Sequence, residues 1–255
     1  MNLHLLVAAH KPFPMPADPV YLPVQAGRAL HGAIPGFTGD DTGANISRKN
    51  PHYCELTALY WGWKNLDADF LGLVHYRRFF ARRSLFSSPA GRILSGAELS
   101  ALLSRVPVLL PSPRHYFIET NYSQYVHAHH TADLETVREV MADRCPEYLE
   151  SFDRVMKRTW GHRFNMFIMR RDILDGYCRW LFDILFDVEK RLDISGYDSY
   201  DARVFGFVAE RLLDVWFDRE RIPFRDCPTV HLENQHWVRK IYHFLRRKIT
   251  GRSGR

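Results

Sequence analysis

The chain has 255 residues, of which 46% are hydrophobic and 25% are charged, so it can bury a sizeable core, and both disorder and fibrous structure are excluded. No segment approaches the roughly 18 consecutive apolar residues that a membrane-spanning helix needs, which excludes an integral membrane protein. The four cysteines are scattered without a Cys-x-x-Cys pair, so we expect buried thiols rather than a zinc site or a disulfide framework.

The positive charge is concentrated at the C-terminal end. The whole chain carries +6 and residues 239–255 alone carry +7, so the preceding residues sum to −1. A nearly neutral body argues against a broad nucleic-acid-binding face. Apolar residues interleave with the terminal cations at mostly helical spacing, which is typical of a helix lying on an anionic membrane. A solvated tail and RNA contact by the tail are the alternatives.

Two parts are therefore predicted: a folded domain over residues 1–235 and a basic amphipathic tail over residues 236–255. The apolar run at residues 1–9 lacks a basic flank and a small-residue cleavage site, so it reads as a strand and not as a signal peptide. We expect a cytoplasmic protein that binds peripherally to the inner face of the membrane through its tail.

Strands and helices alternate along the predicted domain. Residues 3–9 predict the first strand, and the proline-rich residues 12–23 predict a long loop. Asn50 and Pro51 predict the start of a buried helix over residues 51–64. The later predicted elements are strands at 70–74, 106–110 and 164–169 and helices at 131–141, 146–157, 171–192 and 201–217. This order predicts a sheet flanked by helices, which is an α/β fold.

Cations recur where the predicted strands end. His10 and Lys11 follow the first strand, and His75, Arg77 and Arg78 follow the strand at residues 70–74. Ligands of open α/β sheets bind beyond the carboxyl ends of the strands, and the arginine fork pairs with phosphate oxygens. These residues therefore predict a site for a phosphorylated ligand, although a solvated strand end is the simpler alternative.

Several runs of sequence resemble the bacterial DUF4422 family of capsular and exopolysaccharide glycosyltransferases. They are residues 41–50, 53–61, 72–80, 165–169 and 206–213. The resemblance implies a single Rossmann-like domain of the GT-A type, with a mixed central sheet flanked by helices. It implies transfer of a sugar from a nucleoside-diphosphate sugar, with a UDP-sugar the expected donor, to a glycan or lipid-linked acceptor in capsule, exopolysaccharide or lipopolysaccharide biosynthesis. A non-catalytic membrane-anchoring partner of a polysaccharide synthase is the alternative function.

The resemblance also raises the question of a metal. GT-A folds usually hold Mn²⁺ or Mg²⁺ on an Asp-x-Asp placed after a central strand. Here that position reads His75-Tyr76-Arg77, and the literal Asp67-Ala68-Asp69 precedes the strand. A divalent cation is therefore not expected from the motif, and we expect Arg77 and Arg78 to offset the diphosphate charge.

The remaining site residues are assigned by role. We expect Glu210, or Asp214 on the same helical face, to be the base that activates the acceptor; an ion pair of Glu210 with a neighbouring arginine is the alternative. Glu55 is a rival acid, or a residue that holds the arginines in place.

The expected donor contacts are Asp41, Thr42, Gly43, Asn45, Asn50 and Asn165. The residues expected to support the site or contact the acceptor are His127, His130, Asp133 and Arg203; a metal site at His127, His130 and Asp133 and a plain solvated helix are the alternatives.

Overall fold

The computed structural model describes residues 1–84 and 86–232. The strands are Leu3–Ala9 (β1), Tyr21–Gln25 (β2), Thr38–Gly39 (β3), Phe70–His75 (β4), Arg78–Phe80 (β5), Val108–Pro111 (β6), Arg114–His115 (β7), Trp160–Gly161 (β8), Phe167–Arg170 (β9), Arg225–Cys227 (β10) and Thr229–His231 (β11). The helices are Asn50–Tyr53 (α1), Leu56–Asn65 (α2), Gly96–Leu103 (α3), Asn121–Val126 (α4), Thr131–Arg144 (α5), Leu149–Lys157 (α6), Arg171–Arg191 (α7) and Val204–Glu220 (α8).

A mixed sheet forms the centre of the described domain. Its main path runs β10-β6-β9-β4-β1-β2-β3, and β5 joins the end of β4 to β11. Strand β1 lies parallel to β2 and β4, whereas β9 runs antiparallel to β4 and β6. Strands β1, β4 and β6 therefore end at the same edge of the sheet. The expected mixed α/β fold is confirmed.

Each face of the sheet carries its own core. Leu6 and Ala8 of β1 pack among the side chains of α2 and of α5 to α8. Leu5 and Val7 point to the other face, where α3 and β5 cover the sheet. Because β1 is buried on both faces, nearly every one of its positions is apolar.

The predicted proline-rich loop is shorter than expected, because its last residues form β2. Pro23 pairs in register with Val7 of β1. On the other side of β2, the strand β3 pairs only with Val24 and Gln25. The missing N–H of Pro23 therefore lies at an open edge, where a proline costs the sheet no hydrogen bond.

The helix predicted over residues 51–64 is interrupted at Cys54. This residue has φ of 51°, and α1 ends before it while α2 begins at Leu56. The Asn50 side chain spans the break, since its Nδ2 donates to the Cys54 carbonyl (2.8 Å) and to Thr57 Oγ1 (3.2 Å). The break places Cys54 and Glu55 at the sheet edge instead of inside a helical turn.

Residues 236–255, which form the predicted tail, lie outside the described residues, so the domain boundary at residue 235 stays a prediction. Within the described part of the chain, none of the helices combines the length and the apolar character needed to cross a bilayer.

Candidate active site

A cleft of about 700 Å³ opens at the edge of the sheet where β1 and β4 end. Its walls come from the residues after these strands, from the break between α1 and α2, and from the first turns of α8. Eight of the residues expected from the sequence line it: His10, Asn50, Glu55, His75, Arg77, Arg78, Arg203 and Glu210. The fold thus brings most of the strand-end cations together with two carboxylates.

The loop at residues 41–45 lies elsewhere. Thr42 Oγ1 accepts a hydrogen bond from Trp61 Nε1 (2.9 Å), and Asn65 Oδ1 accepts one from the Ala44 backbone N–H (3.1 Å). These contacts place the loop against the C-terminal half of α2. Asp41, Thr42, Gly43 and Asn45 therefore do not line the cleft.

Three other predicted residues do not converge with one another. The His127 Nδ1 lies 2.7 Å from Glu119 Oε1, and His130 stacks on Tyr197 with ring centroids 4.0 Å apart. Asp133 is buried and accepts hydrogen bonds from the hydroxyls of Tyr125 and Tyr197. This arrangement places Asp133 in a structural network, away from the cleft.

Asp214, Lys11 and Asn165 also lie outside the lining of the cleft. Asp214 faces the buried side of α8, where its carboxylate contacts His162 and Arg163. The Lys11 ammonium lies 5.3 Å from the ring centroid of Tyr76, which does line the cleft. Asn165 is 1% exposed and lies directly behind Glu55.

Phe164, which no sequence motif singles out, has a strained backbone conformation at the cleft wall. Its φ is 80°, a value that bulky residues rarely adopt. The Phe164 N–H donates to Glu210 Oε1 (3.0 Å), and its carbonyl lies 2.5 Å from His75 Nε2. Because a carbonyl only accepts, His75 carries its proton on Nε2. The backbone N–H and the backbone carbonyl of Phe164 are thus both bonded to residues that line the cleft.

The ring of Phe164 supports Arg78. The guanidinium carbon lies 3.5 Å from the ring centroid, and Arg78 Nε donates to His231 Nε2 (3.3 Å). Burial, together with the neighbouring charge of Arg77, lowers the pKa of Arg78 to about 10, so the group is still cationic at pH 7. Burial also lowers the pKa of His75, which is neutral there. Positive charge in the cleft therefore comes mainly from the arginines.

Asn165 orients Glu55. Its Nδ2 donates to Glu55 Oε1 (2.7 Å) and to the Gly206 carbonyl (3.0 Å). Its φ is 49°, in the left-handed region that asparagine tolerates better than most residues. The Glu55 carboxylate is consequently fixed at the cleft wall by a buried amide.

Cys54 and Arg203 form the wall beside Glu55. The Arg203 Nε donates to Cys54 Sγ (3.1 Å), and the guanidinium lies over the rings of Tyr200 and Phe207. Burial raises the pKa of the Cys54 thiol to about 11, so it stays protonated at neutral pH. The positive-φ residues Cys54 and Phe164 line the cleft and Asn165 lies directly behind its wall, and strained residues often occur at functional sites.

Within residues 1–84 and 86–232, no three side chains of His, Cys, Asp or Glu are grouped so as to hold a metal ion. Asp69 accepts a hydrogen bond from the Asn2 backbone N–H (2.7 Å), just before β1 begins. The Asp67-Ala68-Asp69 motif therefore lies at the opposite edge of the sheet from the cleft.

The fold and the cleft define a GT-A-like α/β domain. The apo structure of the bifunctional glycosyltransferase WbbM aligns with 92% of this chain at 29% sequence identity and a TM-score of 0.85. The aligned region is 46% of that protein, so the chain spans about half its length.

The chain belongs to the DUF4422 family, a domain of unknown function, whose sequences it matches over residues 4–221. No curated protein matches it. The resemblance seen in the sequence motifs is thereby confirmed.

Proposed function

We propose that the chain is a glycosyltransferase that moves a sugar from a nucleoside-diphosphate sugar, with UDP as the expected nucleotide, to a glycan or lipid-linked acceptor in bacterial surface polysaccharide assembly. The observation that carries this proposal is the cleft, in which Arg77, Arg78 and Arg203 lie with Glu55 and Glu210 at the carboxyl ends of β1 and β4. The likeness to WbbM supports the same class of activity.

The proposed chemistry is displacement at the anomeric carbon of the donor sugar. Arginine side chains offset the charge that develops on the leaving diphosphate, a task that needs no carboxylate-bound metal. Small residues at the ends of β1 and β2, namely Ala8, Ala9 and Ala26, line the same cleft and leave room for the nucleoside. A volume of about 700 Å³ lies in the range of small-molecule sites.

A panel of UDP, GDP, dTDP and CDP sugars tests this function. A donor at 100 times its Kd should stabilise the fold by about 2.7 kcal/mol, which raises the Tm by several degrees. The rate of nucleoside diphosphate release should stay the same in excess EDTA, because the arginines act in place of a metal. Activity that disappears in EDTA and returns with Mn²⁺ or Mg²⁺ would contradict this part of the proposal. Donor binding without any turnover would favour the non-catalytic anchoring role.

The second part of the proposal concerns the basic tail, which we assign to an anionic membrane surface. The last described residue, Leu232, lies beside the cleft, since its N–H donates to the Arg77 carbonyl (2.9 Å). Each cation near such a surface contributes about 1 kcal/mol, and high salt weakens the attraction.

Removal of residues 238–255 is expected to abolish sedimentation with phosphatidylglycerol vesicles and to leave UDP-sugar binding unchanged. Phosphatidylcholine vesicles serve as the neutral control, and the full chain should not sediment with them. A truncated protein that still sediments with the anionic vesicles would show that the tail is not the attachment.

A further inference from the structure

The two carboxylates that line the cleft differ in how their oxygens are used. Both oxygens of Glu210 are occupied, since Oε1 accepts from the Phe164 N–H (3.0 Å) and Oε2 accepts from Arg211 Nη1 (3.1 Å). Arg211 is itself buried and also bonds to Gln124. Glu210 is thus tied into the wall of the cleft on two sides.

The bond from Phe164 gives Glu210 an indirect effect on the arginine site. Glu210 holds the left-handed Phe164 peptide from its N–H side while His75 holds the carbonyl. The Phe164 ring then lies under the Arg78 guanidinium at 3.5 Å. Glu210 is therefore linked to Arg78 through the Phe164 backbone and ring.

Only one of the two carboxylate oxygens of Glu55 accepts a hydrogen bond from a described residue. Its Oε1 accepts from Asn165 Nδ2 (2.7 Å), whereas Oε2 accepts no hydrogen bond from any described residue. The side chain is 13% exposed and lines the cleft. A carboxylate that is oriented by one oxygen and open at the other has the arrangement of a general base.

Neutral and cationic groups surround the Glu55 carboxylate. His75 Nε2 lies 4.0 Å from Glu55 Oε1, and this imidazole is neutral because burial lowers its pKa. The Cys54 thiol is protonated, and the cationic side chains of Arg78 and Arg203 lie near the Glu55 carboxylate. Glu210, the other acid in the cleft, is paired with Arg211.

We propose that Glu55 is the catalytic base of the transfer and that Glu210 is a positioning residue for Arg78. This assignment rests on the proposed function. The acceptor hydroxyl oxygen bonds to the anomeric carbon while the bond from that carbon to the diphosphate oxygen breaks. The bonding electrons leave with the diphosphate beside Arg77 and Arg78, and the hydroxyl proton passes to Glu55 Oε2 and then to solvent. A single displacement of this kind inverts the anomeric configuration.

The test compares Glu55→Gln with Glu210→Gln in the full chain, with the surface change Glu135→Gln on α5 as the matched control. The assay is hydrolysis of the UDP-sugar that the wild type turns over best, because water can replace the acceptor hydroxyl. Glu55→Gln should lower kcat about 10²–10⁴-fold, the usual contribution of a general base, with the Kd for UDP unchanged within about twofold. The acidic limb of the wild-type pH profile of kcat/KM should disappear, and Glu55→Asp should restore part of the rate.

Glu210→Gln should act differently, because its effect passes through Arg78. We expect a raised Kd for UDP and a lowered Tm, with the acidic limb retained. Glu135→Gln should match the wild type in all of these measurements.

Three results would overturn the assignment: a Glu55→Gln variant with more than a third of the wild-type kcat, loss of the acidic limb in Glu210→Gln but not in Glu55→Gln, or a sugar released with the donor's own anomeric configuration. Each of them leaves the glycosyltransferase function intact, since the wild type is active in all three. A wild type that releases no nucleoside diphosphate from any donor in the panel would instead overturn the proposed function, and this assignment with it.

Discussion

Replacing Arg78 with alanine is expected to lower kcat/KM for a UDP-sugar about 10²–10³-fold, the usual loss when one preorganised donor to a developing anion is removed. The side chain is held between the Phe164 ring and His231, so its planar donors already point in a fixed direction before the ligand arrives. Steady-state kinetics of nucleoside diphosphate release, with the Tm measured beside them, give the result.

Two further variants separate charge from geometry at this position. Arg78→Lys keeps a positive charge but loses the arginine fork, so its rate should fall between those of the wild type and Arg78→Ala. Arg83→Ala is the matched control, because Arg83 is exposed and does not line the cleft. An Arg78→Ala variant within threefold of the wild type would show that this arginine does not bind the diphosphate.

Replacing Asp214 with asparagine is expected to lower the free energy of unfolding by about 3–5 kcal/mol, because it removes the carboxylate that contacts buried Arg163 and one of the two that contact buried His162. The His162 Nδ1 lies 2.5 Å from Asp214 Oδ1, and Arg163 Nη1 lies 3.4 Å from the other carboxylate oxygen. The His162 side chain is only 2% exposed, so solvent cannot replace the lost partner. Thermal unfolding should show a Tm lower by on the order of 10 °C.

The same cluster predicts a pH dependence of stability. Burial acts to lower the pKa of His162, but its hydrogen bonds to Asp214 and Asp226 outweigh burial and raise the pKa to about 9. The stabilisation, up to about 3 kcal/mol, is therefore complete below the unfolded-state pKa of about 6.5 and disappears as the pH rises through about 9.

Denaturant titrations at pH 6 and pH 9.5 measure this difference, which should shrink in Asp214→Asn. The control is Asp226→Asn. The Asp226 side chain is 44% exposed, so its replacement should lower the free energy of unfolding by less than that of Asp214. Equal stability of the wild type at the two pH values would mean that His162 is not charged in the folded protein.

The sheet and much of the cleft could be predicted from the sequence. Unbroken apolar runs identify β1 and β4, and ligand sites lie at the carboxyl ends of such strands, so His10, His75 and Arg78 are expected to lie together. The start of helix α3 also has a sequence signal, because Ser95 and Glu98 form a capping box that appears in the sequence as Ser-x-x-Glu.

Other features of the structure could not be predicted from the local sequence. The turn at Cys54 is a single residue with positive φ inside a segment of helical composition, and helix propensity is too weak to reveal such a break. Asp214 follows Glu210 by four residues, which places it one turn or about 6 Å further along α8, beyond the cleft and beside His162. The motif at residues 41–45 indicated the family but not the position of the loop, which tertiary contacts with Trp61 and Asn65 decide.

The main-chain hydrogen bond between Leu232 and Arg77 limits the distance between the cleft and the residues that follow Leu232. Val238 is six residues further along the chain than Leu232, and a fully extended chain over six residues spans at most about 20 Å. A surface that holds Val238 must therefore lie within about that distance of Leu232, whose N–H is bonded to the Arg77 carbonyl at the cleft. Under the proposed function, a substrate carried on the same surface would reach the cleft by diffusing in two dimensions.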